Sequence, residues 1–301
     1  MTSTQNKMTT KESQIANVMQ DIASDKYIVH TTQRSDKKFS IKISPTGDLT
    51  HSFEVTTPPM LAQWPRLHAD GNHLTKFAQE QHQAVFEANV SVGTIDELTE
   101  VVGAAGAETL FEVNNQFADS MDAIFHAFEI HLFHDKNFLM KKKKNLIAFA
   151  KKQVANTAGI DIKTLKNNDE RVVAMAMSMF KENANKFVNR DKETPFIRVK
   201  RKVFQTPWGS DASVEATNKP VPIFDASGTR INGDTSDTNS EALINGGDLV
   251  SAKFSLRPYI IPSGAFGITA SLTGITKIKE GSMHRAAKRR KSTHSFSAWA
   301  V

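Results

Sequence analysis

The stretch KFSLRPY, residues 253–259, alternates polar and apolar side chains with a period of two. This period is typical of a β-strand that has one face in a core and the other in water. The outer face would carry two cations and a ring, Lys253, Arg257 and Tyr259. The stretch therefore predicts an antiparallel sheet with a cationic outer surface.

A second stretch, FIRVKRKVF at residues 196–204, alternates in the same way. Its polar face would carry the cations Arg198, Lys200 and Lys202 and, at the two ends, the rings of Phe196 and Phe204. The last strand-like stretch adds Lys277 on its polar side. Three strands that share cations and aromatic rings favour a surface that binds a polyanion, whereas a solvated sheet face is the ordinary alternative.

Other short runs rich in β-branched and aromatic residues bring the predicted total to about seven strands. They lie before and after a long central segment, at residues 27–32, 37–44, 51–57, 195–205, 219–224, 249–261 and 266–279. The first group is too short to form a stable sheet alone. We therefore expect both groups to join in one sheet; independent β and α domains are the alternative.

The central segment predicts helices. None of the ten prolines lies between Pro65 and Pro195, and proline is strongly unfavourable inside a helix. Apolar residues there recur every three or four positions, most regularly over residues 108–133. The expected fold is α+β, an OB-like antiparallel β-barrel made by N- and C-terminal strands with a large helical insertion. Its segments are a flexible N-terminus at 1–25, a discontinuous β-domain at 26–65 and 194–281, a helical insertion at 66–193, and a basic flexible tail at 282–301.

Composition narrows the range of functions that the protein could have. The chain has 301 residues, no cysteine and a formal net charge of +6, which excludes disulfides and thiolate metal sites and favours a polyanionic partner. No apolar run is long enough to span a membrane, and residues 1–25 lack the apolar stretch of a signal peptide. We expect a cytoplasmic protein, in the host-cell cytoplasm if it is viral, that has no membrane partner.

Catalytic signatures are missing from the sequence. Neither a phosphate-binding loop, nor a dinucleotide fingerprint, nor a nucleophile elbow is present. The histidines His126, His131 and His134 lie at spacings that do not place three ligands on one helix face. We therefore predict that the protein is not an enzyme and has no cofactor and no metal site, although an enzyme of unrecognised type remains a further alternative.

Cations that hold phosphates and rings that stack on bases are what single-stranded nucleic acid requires. The predicted phosphate contacts are Arg198, Lys200, Lys202, Lys253, Arg257 and Lys277. The predicted stacking rings are Phe196, Phe204, Trp208 and Tyr259. Trp208 follows Pro207 in a loop, and any of the four rings could instead belong to the core.

The final third of the chain resembles the single-stranded DNA-binding proteins of tailed phages, which have an oligonucleotide/oligosaccharide-binding (OB) barrel. The resemblance is carried by KPVPIFDASG at 219–228, INGGDLVSAKFSLRPY at 244–259 and GAFGITASLTGI at 264–275. It implies a protein that coats single strands in phage replication and recombination without strong sequence preference. Such proteins typically end in an acidic tail, whereas the end of this chain is basic.

We therefore expect single-stranded DNA as the partner, together with replication proteins and further copies of the chain. The alternative is a structural or assembly protein of a virion, whose helices would form its oligomer and whose basic surface would face the packaged genome. That alternative predicts large assemblies and no preference for single over double strands.

Overall fold

The structure is a computed structural model that describes residues 27–35, 38–45, 53–67, 85–134, 140–191, 193–202, 204–205, 217–218, 221–232, 243–260 and 265–281. The predicted N-terminal segment 1–25 and the basic tail 282–301 lie outside these residues. Trp208 lies outside them as well, as do the side chains of Lys202 and Phe204.

Thirteen strands, four α-helices and a short 3-10 helix (Ile162–Thr164) occur in the described residues. The strands are β1 (Tyr27–Ser35), β2 (Lys38–Pro45), β3 (Glu54–Thr56), β4 (Met60–Arg66), β5 (Val85–Ser91), β6 (Ala184–Asn185), β7 (Val188–Asn189), β8 (Phe196–Lys202), β9 (Phe204–Gln205), β10 (Thr217–Asn218), β11 (Ile223–Phe224), β12 (Leu249–Ile260) and β13 (Phe266–Lys279). The helices are α1 (Ile95–Val102), α2 (Ala104–His134), α3 (Met140–Ala158) and α4 (Glu170–Lys181).

The helical segment begins with a capping box. Thr94 caps α1: its hydroxyl accepts a hydrogen bond from the Glu97 backbone N–H at 3.1 Å, while the Glu97 carboxylate accepts one from the Thr94 N–H at 2.8 Å. This reciprocal pair satisfies backbone donors that the first helical turn leaves without partners. Gly103, at φ +87°, then separates α1 from α2, because a positive φ costs glycine little.

Nine strands form the main sheet. The long strands β12 and β13 pair antiparallel from Leu249↔Lys279 to Ile260↔Phe266. Strand β4 pairs with β12, β5 with β4, and β8 with β5, all antiparallel. Strand β8 also pairs with β13, in parallel, at Val199↔Ala270. The pairings therefore return to their starting strand in the order β4, β5, β8, β13, β12 and β4.

The remaining strands of this sheet are short and lie at its margins: β3 pairs with β12, β6 and β11 with β13, and β7 with β8. Two separate two-stranded sheets consist of β1 with β2 and of β9 with β10. The five strands of the returning path thus carry most of the sheet's pairing.

Helices and sheet contribute to the same hydrophobic clusters, of which there are two among the described residues. The ring of Phe266 at the start of β13 stacks on Phe180 of α4 at 4.4 Å between centroids, and meets Phe128 of α2 edge-on at 6.1 Å. All three side chains are at most 4% exposed. One continuous cluster of buried side chains includes residues of α2, α4 and the sheet. The helices are therefore packed on the strands, and do not form a separate core.

The predicted α+β class is confirmed, but the helical segment is shorter than expected. The described helices extend from Ile95 to Lys181, whereas the sequence predicted an insertion over 66–193. Strand β5 lies inside that range and belongs to the main sheet, as do the short strands β6 and β7. The absence of proline suggested a helix there, but strand interiors also lack proline. Strand β4, which contains Pro65, was not predicted either.

Candidate nucleic-acid interface

Alternation along β8 and β12 divides cations from core residues as the sequence predicted. Arg198 and Lys200 are exposed, while their neighbours Ile197 and Val199 are fully buried. On β12, Lys253 and Arg257 are exposed, whereas Phe254 and Leu256 are at most 2% exposed. Each strand therefore presents cations outward from the same backbone that supplies the core.

Strand β13 lies between these two strands and brings their cations onto one surface. Arg257 pairs with Thr269 of β13, and Lys200 pairs with Ser271. The parallel register also pairs Val199 with Ala270, and continued by one residue it places Arg198 beside Thr269. Neighbouring strands are about 4.8 Å apart, so Arg198 and Arg257 lie about 10 Å apart in one row across β13.

The next row has a cation on one side only, because Ser255 of β12, which is 6% exposed, stands where Arg257 stands in the first row. Ser271, beside Lys200, pairs with Ser255 of β12. Further along, the Thr273 hydroxyl donates a hydrogen bond to the Lys253 carbonyl at 2.9 Å, and the continued register places the Lys202 backbone on the other side of Thr273. We call Arg198, Lys200, Lys253 and Arg257, with the hydroxyl residues Thr269, Ser271 and Thr273 between them, the cationic strip.

Three cations of the strip form no ion pair within the described part of the chain: Arg198, Lys200 and Arg257, although Glu87 of β5 lies opposite Lys200 in the register. Lys253 differs, because its ammonium lies 2.8 Å from the Glu54 carboxylate of β3. Both side chains of that pair are about half exposed, at 53% and 48%. An ion pair so open to water is weak, so Glu54 lowers the positive potential at one end of the strip without removing Lys253 from the surface.

Lys277 does not belong to the strip, contrary to its predicted grouping with the other cations. Its ammonium lies 3.2 Å from the Asp248 carboxylate and 3.5 Å from Glu280, and its side chain is 17% exposed. Asp248 is fully buried and also accepts hydrogen bonds from the backbone N–H groups of Asn245 and Gly281. Because a buried carboxylate needs a nearby cation, Lys277 neutralises Asp248 and has a structural role.

Of the predicted stacking rings, Phe196 is not available to a base. It is 7% exposed, and β8 at this residue pairs with Ser91 of β5 and with Asn189 of β7. Tyr259 lies at the margin of the strip and is half-buried. Its hydroxyl accepts a hydrogen bond from the Asn185 side-chain amide at 2.9 Å. Trp208 and the side chain of Phe204 lie outside the described part of the chain.

Two residues of β4 that the sequence analysis did not select lie on the outer surface. Trp64 is 76% exposed, and the side chain of Arg66 is 52% exposed. Arg66 pairs with Glu87 across β4 and β5, with 3.7 Å between their charged groups, and Glu87 is in turn opposite Lys200. The signal in the sequence was a tryptophan among polar neighbours, which lacks the apolar companions of a core residue.

Arg201 is the exception to the alternation on β8. It pairs with the buried Phe86 and is only partly exposed. Burial and, to a smaller extent, the nearby charge of Arg230 lower its pKa. Arg201 and Arg230 are not part of the strip. Arg201 points to the opposite side of β8 from Arg198 and Lys200.

The histidines and carboxylates of the described residues do not form a metal site. No group of three or more histidines and carboxylates among them could hold a metal ion, and His126 instead lies 3.4 Å from Glu129. A pocket of about 870 Å³ on α3 is lined mainly by lysines, asparagines and isoleucines. In the part of the chain that is described, no helix has the length and apolarity to cross a membrane.

Burial raises the pKa of the Asp122 carboxyl on α2, an effect that its hydrogen bond to Arg190 opposes. Arg190 lies 2.8 Å from Asp122 and 2.6 Å from Asp119, so one guanidinium joins α2 to the residue that follows β7. A carboxylate held in this way contributes to tertiary structure, and we assign no proton-transfer role to it.

Fold and surface together define a mixed α+β protein whose sheet carries a cationic, hydroxyl-lined outer strip. No protein-family model matches the chain. No curated protein matches its sequence either.

Several solved structures are similar to it. One is gp2.5, a single-stranded DNA-binding protein encoded by bacteriophage T7, with a TM-score of 0.40, 11% identity and coverage of 76% of this chain and 93% of that one. Another is the single-stranded DNA-binding protein of bacteriophage Enc34, with a TM-score of 0.34, 8% identity and coverage of 84% and 91%. The Enc34 protein in complex with single-stranded DNA gives a TM-score of 0.33 at 9% identity, with coverage of 84% and 96%. At such low TM-scores and identities, the similarity assigns neither a fold family nor a function to this chain.

Proposed function

We propose that this chain is a non-catalytic protein that binds single-stranded DNA along the cationic strip. The observation that carries the proposal is the register of β8, β13 and β12. It places Arg198 and Lys200 on one side of a strand of hydroxyl residues, and Arg257 and Lys253 on the other. Cations on two lines about 10 Å apart can contact successive phosphates of one flexible strand.

The returning path of strand pairings supports a closed, OB-like barrel as the scaffold. It contains five strands, of which all neighbours are antiparallel except β8 and β13. An OB-fold is a five-stranded barrel whose outer face binds oligonucleotides. The strip lies on the outer face of three of these strands, while the alternating residues fill the interior.

A single strand suits this surface better than a duplex. Sequence-specific proteins read duplex DNA by inserting a helix or a β-ribbon into a groove, and the strip is instead the broad face of a sheet. Its cations would contact phosphates, which are the same for every base, so we expect little sequence preference. Coating of single strands in phage replication and recombination is part of this proposal, because it is what the resemblance at 219–228, 244–259 and 264–275 implies.

Fluorescence anisotropy with labelled oligo-dT and with a duplex of the same length tests the proposal. We expect oligo-dT to bind more tightly than the duplex, with an affinity that falls steeply as salt rises. Competition by oligo-dA and by mixed-sequence single strands should be similar to competition by oligo-dT. Absent binding would contradict the proposal. Equal affinity for both forms of DNA, with large assemblies in light scattering, would instead favour the virion alternative.

A further inference from the structure

Trp64 is the most exposed of the large hydrophobic side chains in the described residues: 76% of it is open to water, compared with 54% for Phe149. Burial of an aromatic side chain is among the larger favourable terms in folding. A tryptophan left in water therefore contributes little to the stability of this fold. Its indole is available to a ligand instead.

The backbone at Trp64 is unusual as well. Its φ is +46°, and it is the one non-glycine residue with a positive φ among those described. Such a conformation costs on the order of 1–3 kcal/mol for a residue with a side chain. The cause is a β-bulge: three steps of β4 from Gln63 to Arg66 lie against two steps of β5 from Asn89 to Glu87. Bulges of this kind redirect a side chain and are frequent beside functional sites.

The bulge lies beside the cationic strip. Gln63 pairs with Asn89, which pairs with Arg198 of the strip. Arg66 pairs with Glu87, which pairs with Lys200. Trp64 therefore falls between the rows of Arg198 and Lys200, two strand spacings or about 10 Å from β8.

We propose that Trp64 is a base-stacking platform of this surface. It would stack on a base of the strand whose phosphates contact Arg198 and Lys200. This inference rests on the proposed function and adds the element that distinguishes single strands, because only unpaired bases expose a face for stacking. The strained bulge would hold the indole outward, so that binding does not have to reorient it.

Three variants test the role of Trp64. Trp64→Ala should weaken oligo-dT binding by about 5- to 150-fold at fixed salt, the range for loss of one base stack. Trp64→Phe should keep most of the affinity, because phenyl rings also stack. Neither change should alter the salt dependence, since no charge is removed. Phe149→Ala is the matched control, because it removes an exposed ring from α3. Its affinity should stay within about twofold of the wild-type affinity.

Trp64→Gly separates a binding role from a structural one. Glycine adopts a positive φ at little cost, so thermal unfolding of this variant should show no loss of stability, while its affinity falls as in Trp64→Ala. Oligo-dT should also quench the tryptophan fluorescence of the wild type more than that of Trp64→Phe. A large loss of stability in Trp64→Gly, or equal quenching in the two proteins, would overturn the inference.

The possible failures are distinguishable. If the wild type does not bind single-stranded DNA, the proposed function fails. If the wild type binds and Trp64→Ala binds equally well, the function stands and the stacking role is wrong. If Trp64→Ala changes the oligomeric state in light scattering but not the affinity, Trp64 belongs to a protein interface and the stacking role is again wrong.

Discussion

Simultaneous replacement of Arg198 and Arg257 by alanine tests the cationic strip most directly. Arg257 pairs with Thr269 of β13, and the parallel register of β8, continued by one residue from Val199↔Ala270, places Arg198 on the other side of Thr269. Both side chains are exposed, and neither is paired with an acid among the described residues. Their removal therefore leaves no carboxylate without a partner, and we expect the thermal unfolding temperature to stay close to that of the wild type.

The expected effect on binding is a lower salt dependence. On single strands each neutralised phosphate contributes about 0.7 to the slope of log affinity against log salt. Loss of two phosphate contacts lowers that slope by about 1.4. Between about 50 and 200 mM salt, the affinity of the wild type should consequently fall about sevenfold more than that of the double variant.

The measurement is a series of oligo-dT titrations by fluorescence anisotropy at four salt concentrations. The matched control replaces Lys152 of α3 and Lys181 of α4, which are also exposed. Both double variants remove two positive charges from the formal +6, so the control measures the effect of net charge alone. If the two double variants have the same slope, the positions of Arg198 and Arg257 do not matter and the reasoning from the register is refuted.

Three further variants probe the surroundings of the strip. Glu54→Gln should raise oligo-dT affinity by up to about fivefold, because it releases Lys253 from an exposed ion pair worth at most about 1 kcal/mol; unchanged or lower affinity in the same titration would contradict this. Lys277→Met should lower the free energy of unfolding in urea by on the order of 3 kcal/mol, since Asp248 stays buried without its cation; a reduced salt slope without destabilisation would restore Lys277 as a phosphate contact. Phe196→Ala should cost about 3 kcal/mol of stability in the same assay, and a selective loss of DNA affinity would show that its ring does contact bases.

The sequence predicted the outward cations of β8 and β12 because side-chain alternation is a local property of an extended backbone. Arg198, Lys200, Lys253 and Arg257 all lie on the faces that their spacing indicated. The same reasoning was wrong for Phe196. It has the correct parity for the outer face, but its side chain is only 7% exposed. Alternation assigns a face to a residue, and it does not show what covers that face.

Lys277 and Trp64 show features of the structure that the spacing of residues along a strand does not predict. Lys277 is drawn to Asp248, a buried carboxylate that lies 29 positions earlier in the chain by their residue numbers. Trp64 is presented by a bulge whose existence depends on how β4 pairs with β5. No local pattern in β4 distinguishes a bulged strand from a regular one.

The amino-acid sequence by itself determined the mixed α+β class, the principal helices and the cationic faces of two strands, because these follow from local periodicity and the conformational limits of proline. Tertiary structure alone decided that β8 and β12 lie on either side of β13. It also decided that Lys277 is neutralised and that Trp64 stands exposed beside the strip. Each of these depends on pairings such as Lys200 with Ser271, which join residues far apart in the chain. Such pairings are selected by the packing of the whole core, and hence no short stretch of sequence specifies them.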